Sequence, residues 1–149
     1  SGTENTQGIS GLGLATELAY DNLEDKQLHI INLNNRLREG LMSELDDIIV
    51  NGTIDMGVEV SDYGKRFPSV LNVSFLGARG EVILHTLEQD EIFVSTGSAC
   101  SSHKNSDSHV LAAMGLGHKE IEGAIRFSIS EFNMLEEKRR NVSCERNSF

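Results

Sequence analysis

The sequence predicts an α/β fold: a small mixed or antiparallel sheet with helices packed on one face. Three observations predict it. Leucines at 33, 37, 41 and 45 recur every four residues through the first third of the chain, the signature of one face of a helix. Two later segments, around 70–75 and 124–130, alternate apolar and polar residues with the two-residue period of half-buried strands. The elements follow one another as helix, strand, strand, helix, strand, helix, strand, which suits helices laid on a sheet. The chain has 149 residues, a length that fits one domain around a single core.

Each element has its own justification. From Gly8 to about Leu45 the pattern is helical, and Ile30 extends the leucine stripe. Asp21-Asn22 interrupts it, so one bent helix or two in series is expected. The opening Gly8, Gly11 and Gly13 superficially resemble a dinucleotide-binding loop, but no strand precedes them and the spacing is not G-x-G-x-x-G. Ile48-Ile49-Val50 followed by Asn51-Gly52 reads as a short strand and a turn. Residues 53–66 read as a loop. Pro68 introduces a strand over Ser69–Phe75, and Ala78–Gln89 is helical, with Val82, Ile83, Leu84 and Leu87 as its apolar face. Ile92-Phe93-Val94 reads as a brief strand feeding Ser95-Thr96-Gly97-Ser98-Ala99-Cys100. Ser101 to Asp107 has no periodicity. Ser108 is positioned to cap a helix through Met114 that Gly115 closes. His118–Glu122 begins a short helical turn, and Ala124–Ser130 is the last strand.

Composition narrows the function. Thirteen basic residues against 23 acidic ones give a formal charge of −10, which repels a phosphate backbone and argues against direct nucleic-acid binding. The basic run Lys138-Arg139-Arg140 reads as a solvated tail. An apolar share of 38% suits a soluble globule, and no run approaches the roughly 20 apolar residues of a membrane-spanning helix. The polar start, Ser1 to Asn5, lacks the form of a secretory signal, so a cytoplasmic location is expected. The two cysteines, Cys100 and Cys144, do not make a disulfide scaffold. Three N-x-S/T sequons, at Asn51, Asn72 and Asn141, read as chance in that setting.

Cys100 is the residue most suited to chemistry. A buried structural cysteine has apolar neighbours, whereas this one follows a strand and lies among glycine and small hydroxylated residues. The thiolate is the reactive form, so a lowered pKa or a nearby base is needed at neutral pH. His103 or a group outside the chain could supply that base. Other cysteine chemistries fail on spacing: a C-x5-R phosphatase loop finds Ser106 where the arginine belongs, no C-x-x-C zinc pair occurs, and no P-loop is present. No metal site is expected. Arg126 is the second candidate. Inside a strand an arginine either faces solvent or is buried against an anion, and its planar fork suits a carboxylate. The alternation leaves both faces open.

The segment Val94-Ser95-Thr96-Gly97-Ser98-Ala99-Cys100-Ser101-Ser102 resembles the active-cysteine loop of group I cysteine desulfurases, the NifS/IscS branch of the class V aminotransferases. The similarity continues through Ser108-His109-Val110-Leu111, Met114-Gly115-Leu116 and Ile125-Arg126-Phe127-Ser128. Upstream, Gly2-Thr3-Glu4-Asn5 is similar to the family's G-T-x-N element, and Val70–Phe75 to its strand before the cysteine region. The resemblance spans Gly2 to about Asn133 in order. It implies the C-terminal small domain of a fold-type I pyridoxal-phosphate enzyme over residues 1–133, including its long leading helices, with 134–149 a divergent or truncated tail. In that family L-cysteine is activated on the cofactor, the loop thiolate takes its sulfur as a persulfide, and L-alanine is released. Cys100 then matches the nucleophile and sulfur carrier, Arg126 the arginine that grips the substrate carboxylate, and Thr3 a residue that reaches the cofactor phosphate of the partner subunit. The implied partners are a second copy in a homodimer and a sulfur acceptor such as an iron–sulfur scaffold or a tRNA-thiolation protein.

The chain departs from the family pattern in two places. The segment S-x-H-K-x-x-G-P-K-G, which carries the cofactor lysine, is absent. Ser101-Ser102-His103-Lys104 imitates its start but continues Asn105-Ser106-Asp107 and lies behind the nucleophile, so Lys104 reads as loop decoration. The chain alone is therefore expected to be inactive. After Asn133 the amphipathic helix of the family gives way to a tail in which Cys144 matches nothing. Two other readings stand beside a desulfurase part: a stand-alone persulfide-accepting or partner-binding module, and a related selenocysteine lyase.

Overall fold

The computed structural model describes residues 2–52, 68–96 and 107–134. Cys100 with its loop, the 53–66 loop and the tail from 135 onward lie outside the described residues. So do His103, Lys104 and Cys144.

The helical stretch is two helices in series, α1 (Thr6–Tyr20) and α2 (Leu23–Glu44). Asn5 caps α1 by accepting the Gly8 N–H on its side chain at 3.0 Å. The break falls at the anticipated Asp21-Asn22, where Asn22 takes a left-handed conformation with φ 52°, a state asparagine tolerates better than most residues. The two helices differ in burial. In α2, Ile30, Ile31 and Leu33 are buried, while Leu37 is half-buried and Leu45 exposed. In α1 nothing is buried, and Ile9, Leu12, Leu14, Leu18 and Tyr20 all stand exposed.

Four strands follow: β1 (Ile48–Asn51), β2 (Val70–Phe75), β3 (Ser95–Thr96) and β4 (Ala124–Ser128). They form one sheet in the order β1-β2-β4-β3, every pair antiparallel. Between them run α3 (Gly80–Gln89), α4 (His109–Ala113) and α5 (His118–Glu122). Because side chains alternate along a strand, the register sorts the sheet into two faces. Leu71, Val73 and Ile125 share one face and are buried, Val73 and Ile125 completely. Each such side chain contributes roughly 1.5–3 kcal/mol of burial. Ile129 continues that face and packs with Ile30 and Leu33 of α2. Asn34 fixes the same helix to the strand by donating to the Pro68 carbonyl at 2.8 Å. α3 meets this face too, since a Cβ on Gly80 would lie 3.3 Å from the Thr96 methyl carbon.

Three boundaries differ from the sequence expectation. α3 begins at Gly80 instead of Ala78, because Gly77 at φ 81° turns the chain and the Ala78 N–H bonds to the Phe75 carbonyl. β4 stops at Ser128 instead of Ser130. Ile129 still donates to Ser69 at 2.7 Å, but the Ser130 N–H turns to the Asn133 side chain. The largest correction concerns the third strand, which is Ser95–Thr96 and not Ile92-Phe93-Val94. The first of those residues is used to end α3. Glu91 adopts φ 60°, its N–H bonds to Glu88, and the Ile92 N–H reaches back to Leu87 at 2.9 Å. This is a Schellman closure with glutamate at the position usually held by glycine. The same closure ends α4, where Gly115 at φ 90° bonds to Ala112 and Leu116 to Leu111. The anticipated Ser108 cap is present at the other end of α4, accepting from the Leu111 N–H.

One glycine is fixed by crowding. A Cβ on Gly123 would come 2.1 Å from the Phe75 carbonyl oxygen and 2.9 Å from that of Ala78. Its own carbonyl accepts the Phe75 N–H at 3.0 Å. Two backbones meet here with no room between them.

Candidate functional site

The face of the sheet opposite Leu71, Val73 and Ile125 carries Ile49, Val70 and Ala124 toward its ends and polar residues between them. Its centre is a row of four residues, one from each strand: Asn51, Asn72, Arg126 and Ser95, aligned as successive register partners. A cross-strand partner brings Cβ atoms to about 4.5–5.5 Å, so neighbours in this row are within side-chain reach. The alternation that turns Ile125 inward turns Arg126 outward, which settles the alternative the sequence left open: Arg126 is exposed.

Arg126 donates through Nη2 to the Ser95 hydroxyl at 3.3 Å. Among the described residues it has no carboxylate partner. Its guanidinium thus leans toward β3, and Ser95 lies five positions before Cys100 in the chain. On the other side of the row Asn51 is tightly engaged. Its Nδ2 donates to Asn72 Oδ1 at 2.6 Å and to the fully buried Ser74 hydroxyl at 2.7 Å. The carbonyl oxygen of the Asn51 side chain is buried without a donor among the described residues. Chemically, the row presents a planar cation flanked by neutral amide and hydroxyl groups, a setting that binds an anion through charge-assisted hydrogen bonds.

Thr3 lies two residues ahead of the Asn5 cap of α1 and is exposed. Among the described residues no hydrogen bond or ion pair joins it to Arg126. Cys100 lies outside the described residues. Immediately after the undescribed stretch, Asp107 Oδ1 meets His118 Nδ1 at 2.8 Å, linking the chain before α4 to α5. Among the described residues no cluster of His, Cys, Asp or Glu could hold a metal ion, and no helix is long and apolar enough to cross a membrane.

Sequence reasoning missed Asn51, Asn72 and Ser74 as members of this face. Asn51 reads as a turn residue and Asn72 as a chance sequon. The signal was nevertheless present in the alternation of Val70-Leu71-Asn72-Val73-Ser74, which puts Asn72 and Ser74 opposite Leu71 and Val73. Arg38 was missed as well. It is buried on α2, and its Nε has no partner among the described residues.

Comparison with known proteins adds three findings. Residues 1–139 match the aminotransferase class-V family. The chain is 40% identical over 135 residues to the cysteine desulfurase IscS of Clostridium botulinum strain Hall, covering 91% of this chain and 32% of that protein. It is 39% identical over 137 residues to a cysteine desulfurase of Sinorhizobium fredii, covering 92% of this chain and 33% of the relative. Among solved structures it is similar to a NifS-like protein with TM-score 0.70 at 31% identity, covering 94% of this chain and 32% of that one. A NifS-like protein from Rickettsia africae gives 0.69 at 28% identity, with 93% and 33% covered. The chain therefore spans about a third of the length of the relatives it matches.

Proposed function

Because the chain belongs to the class-V aminotransferase family, with cysteine desulfurases of the NifS/IscS type as its relatives, we propose that it is the small-domain part of such a desulfurase. Residues 1–133 form that domain and 134–149 a divergent tail. The observation that carries the reading is Arg126, an exposed arginine with no carboxylate partner among the described residues, held to Ser95, which lies five positions before Cys100 in the chain.

The residues present fit a pyridoxal phosphate supplied largely by the rest of the enzyme. Thr3 offers an exposed hydroxyl ahead of a 15-residue helix whose first turn has no acidic side chain, a setting compatible with a phosphate. Lys26 is committed to the Leu18 carbonyl at 2.6 Å, and no segment of the 149 residues has the S-x-H-K-x-x-G-P-K-G form. The chain by itself is accordingly expected to be inactive. When bound, the cofactor supplies the electron sink that loosens the carbon–sulfur bond of the substrate. Arg126 holds the carboxylate of L-cysteine by paired hydrogen bonds and so fixes where its sulfur lies. The Cys100 thiolate attacks that sulfur. An S–S bond forms as the C–S bond breaks, the electron pair stays with carbon, and a proton taken up there completes L-alanine. The persulfide on Cys100 is then passed to an acceptor such as an iron–sulfur scaffold or a tRNA-thiolation protein. A homodimer in the cytoplasm completes the proposal.

The test uses the complete enzyme containing this chain, with cofactor, beside its Cys100→Ser variant. Alanine release from L-cysteine and a sulfur adduct in the intact mass are expected, both falling to background in the variant. Alanine release that survives Cys100→Ser would sink the role of Cys100. Turnover of selenocysteine without turnover of cysteine would make the protein a selenocysteine lyase. Persulfide accepted from another protein without any alanine would make it a binding module.

A further inference from the structure

We infer that Asn72 is a second, uncharged donor to the substrate carboxylate, determining specificity beside Arg126, and that Asn51 positions it. The inference rests on the reading of Arg126 given above. Asn72 is the direct register partner of Arg126 on β2, as Ser95 is on β3, so the three residues lie abreast on one face. Ser95 holds it from one side at 3.3 Å. On the other side Asn51 donates to Asn72 Oδ1 at 2.6 Å.

That hydrogen bond has a consequence for the Asn72 amide. With its oxygen accepting from the β1 side, the Asn72 amide turns its nitrogen away from Asn51 as a donor, and Asn72 Nδ2 has no acceptor among the described residues. Arg126 is itself donor-only and offers no acceptor either. Two adjacent donors, the cationic guanidinium and the Asn72 amide nitrogen, make a cradle for an anion with two oxygens. Asn51 is held in turn by its second bond, to the buried Ser74 at 2.7 Å. The orientation of Asn72 is thereby anchored to the sheet and not to solvent. Among the described residues no other strand position pairs an amide with Arg126.

The experiment compares ligands with and without the carboxylate on the complete, cofactor-loaded enzyme. Calorimetric binding of L-alanine and of ethylamine is measured for the parent, Asn72→Ala, Asn72→Asp, Asn51→Ala and Arg126→Ala, together with kcat and KM for L-cysteine. Asn72→Ala is expected to weaken L-alanine by about ten- to a hundredfold, the worth of a hydrogen bond to a charged group, with ethylamine unchanged and the loss in turnover appearing in KM. Asn72→Asp, nearly identical in size, should lose more because it sets a like charge against the carboxylate. Asn51→Ala should lose less, again only for L-alanine. Equal losses for L-alanine and ethylamine would reduce Asn72 to a structural residue and overturn the inference. Unchanged L-alanine binding in Asn72→Ala, with a loss in Arg126→Ala, would overturn it while leaving the Arg126 reading intact. Unchanged L-alanine binding in Arg126→Ala would overturn both.

Discussion

Ile125 and Arg126 are neighbours in β4 and opposites in every other respect. Ile125 is completely buried and packs on the face that α2 and α3 cover, whereas Arg126 is exposed in a polar row on the other face. One peptide unit separates the residue that holds the sheet together from the residue proposed to hold the substrate. The difference shows how a small sheet carries both duties. The apolar face fixes the strand register through burial, and the register then sets four polar side chains abreast with no packing of their own. The polar face borrows its order from the apolar one.

If that division is sound, the two neighbours should fail in different assays. Arg126→Ala in the complete enzyme is expected to lower kcat/KM for L-cysteine by about a hundred- to a thousandfold, the loss typical of truncating one partner of a charged hydrogen-bonded pair. Its effect on folding stability should stay within about 0.5 kcal/mol, as for other surface changes. A comparable loss of stability would break the comparison. Ile125→Ala should do the reverse. Urea unfolding is expected to show a loss of about 2–5 kcal/mol for the cavity left in the core, while the fraction that stays folded keeps its KM. The smallest effect tests the end of α3. Glu91→Gly should raise stability by about 1 kcal/mol, because it removes the strain of a left-handed non-glycine residue at the end of α3. No gain in the unfolding midpoint would mean that the glutamate side chain compensates for its backbone.

The legible parts of the fold were those in which a local pattern and tertiary packing agree. Leu71, Val73 and Ile125 alternate in sequence and are buried in fact. The break at Asn22 and the close of α4 at Gly115 were readable because asparagine and glycine advertise positive φ. Glu91 gives no such signal, so Ile92-Phe93-Val94 passed for a strand when its first residue was needed to close a helix. Phe93, the most strand-like of the three, is 80% exposed. In α1 the apolar residues pointed to a helix correctly and to burial not at all, since periodicity reports a face without reporting what covers it. For the site, the sequence singled out Arg126 but could not choose its face, because an outward arginine and a paired inward one leave the same alternation. Asn51 and Asn72 went unnoticed for a related reason. Their significance lies in being opposite Arg126 across two ladders, and register is a long-range property that no single segment contains.

The crowding at Gly123 bears on how this chain can vary through descent. Elsewhere in the core a bulky replacement can be rescued by trimming a neighbouring side chain, and such pairs drift together. At Gly123 the obstructing atoms are the carbonyl oxygens of Phe75 and Ala78, which every amino acid carries. A larger residue there has no second-site suppressor among side-chain changes, and a screen for revertants should return only glycine at that codon.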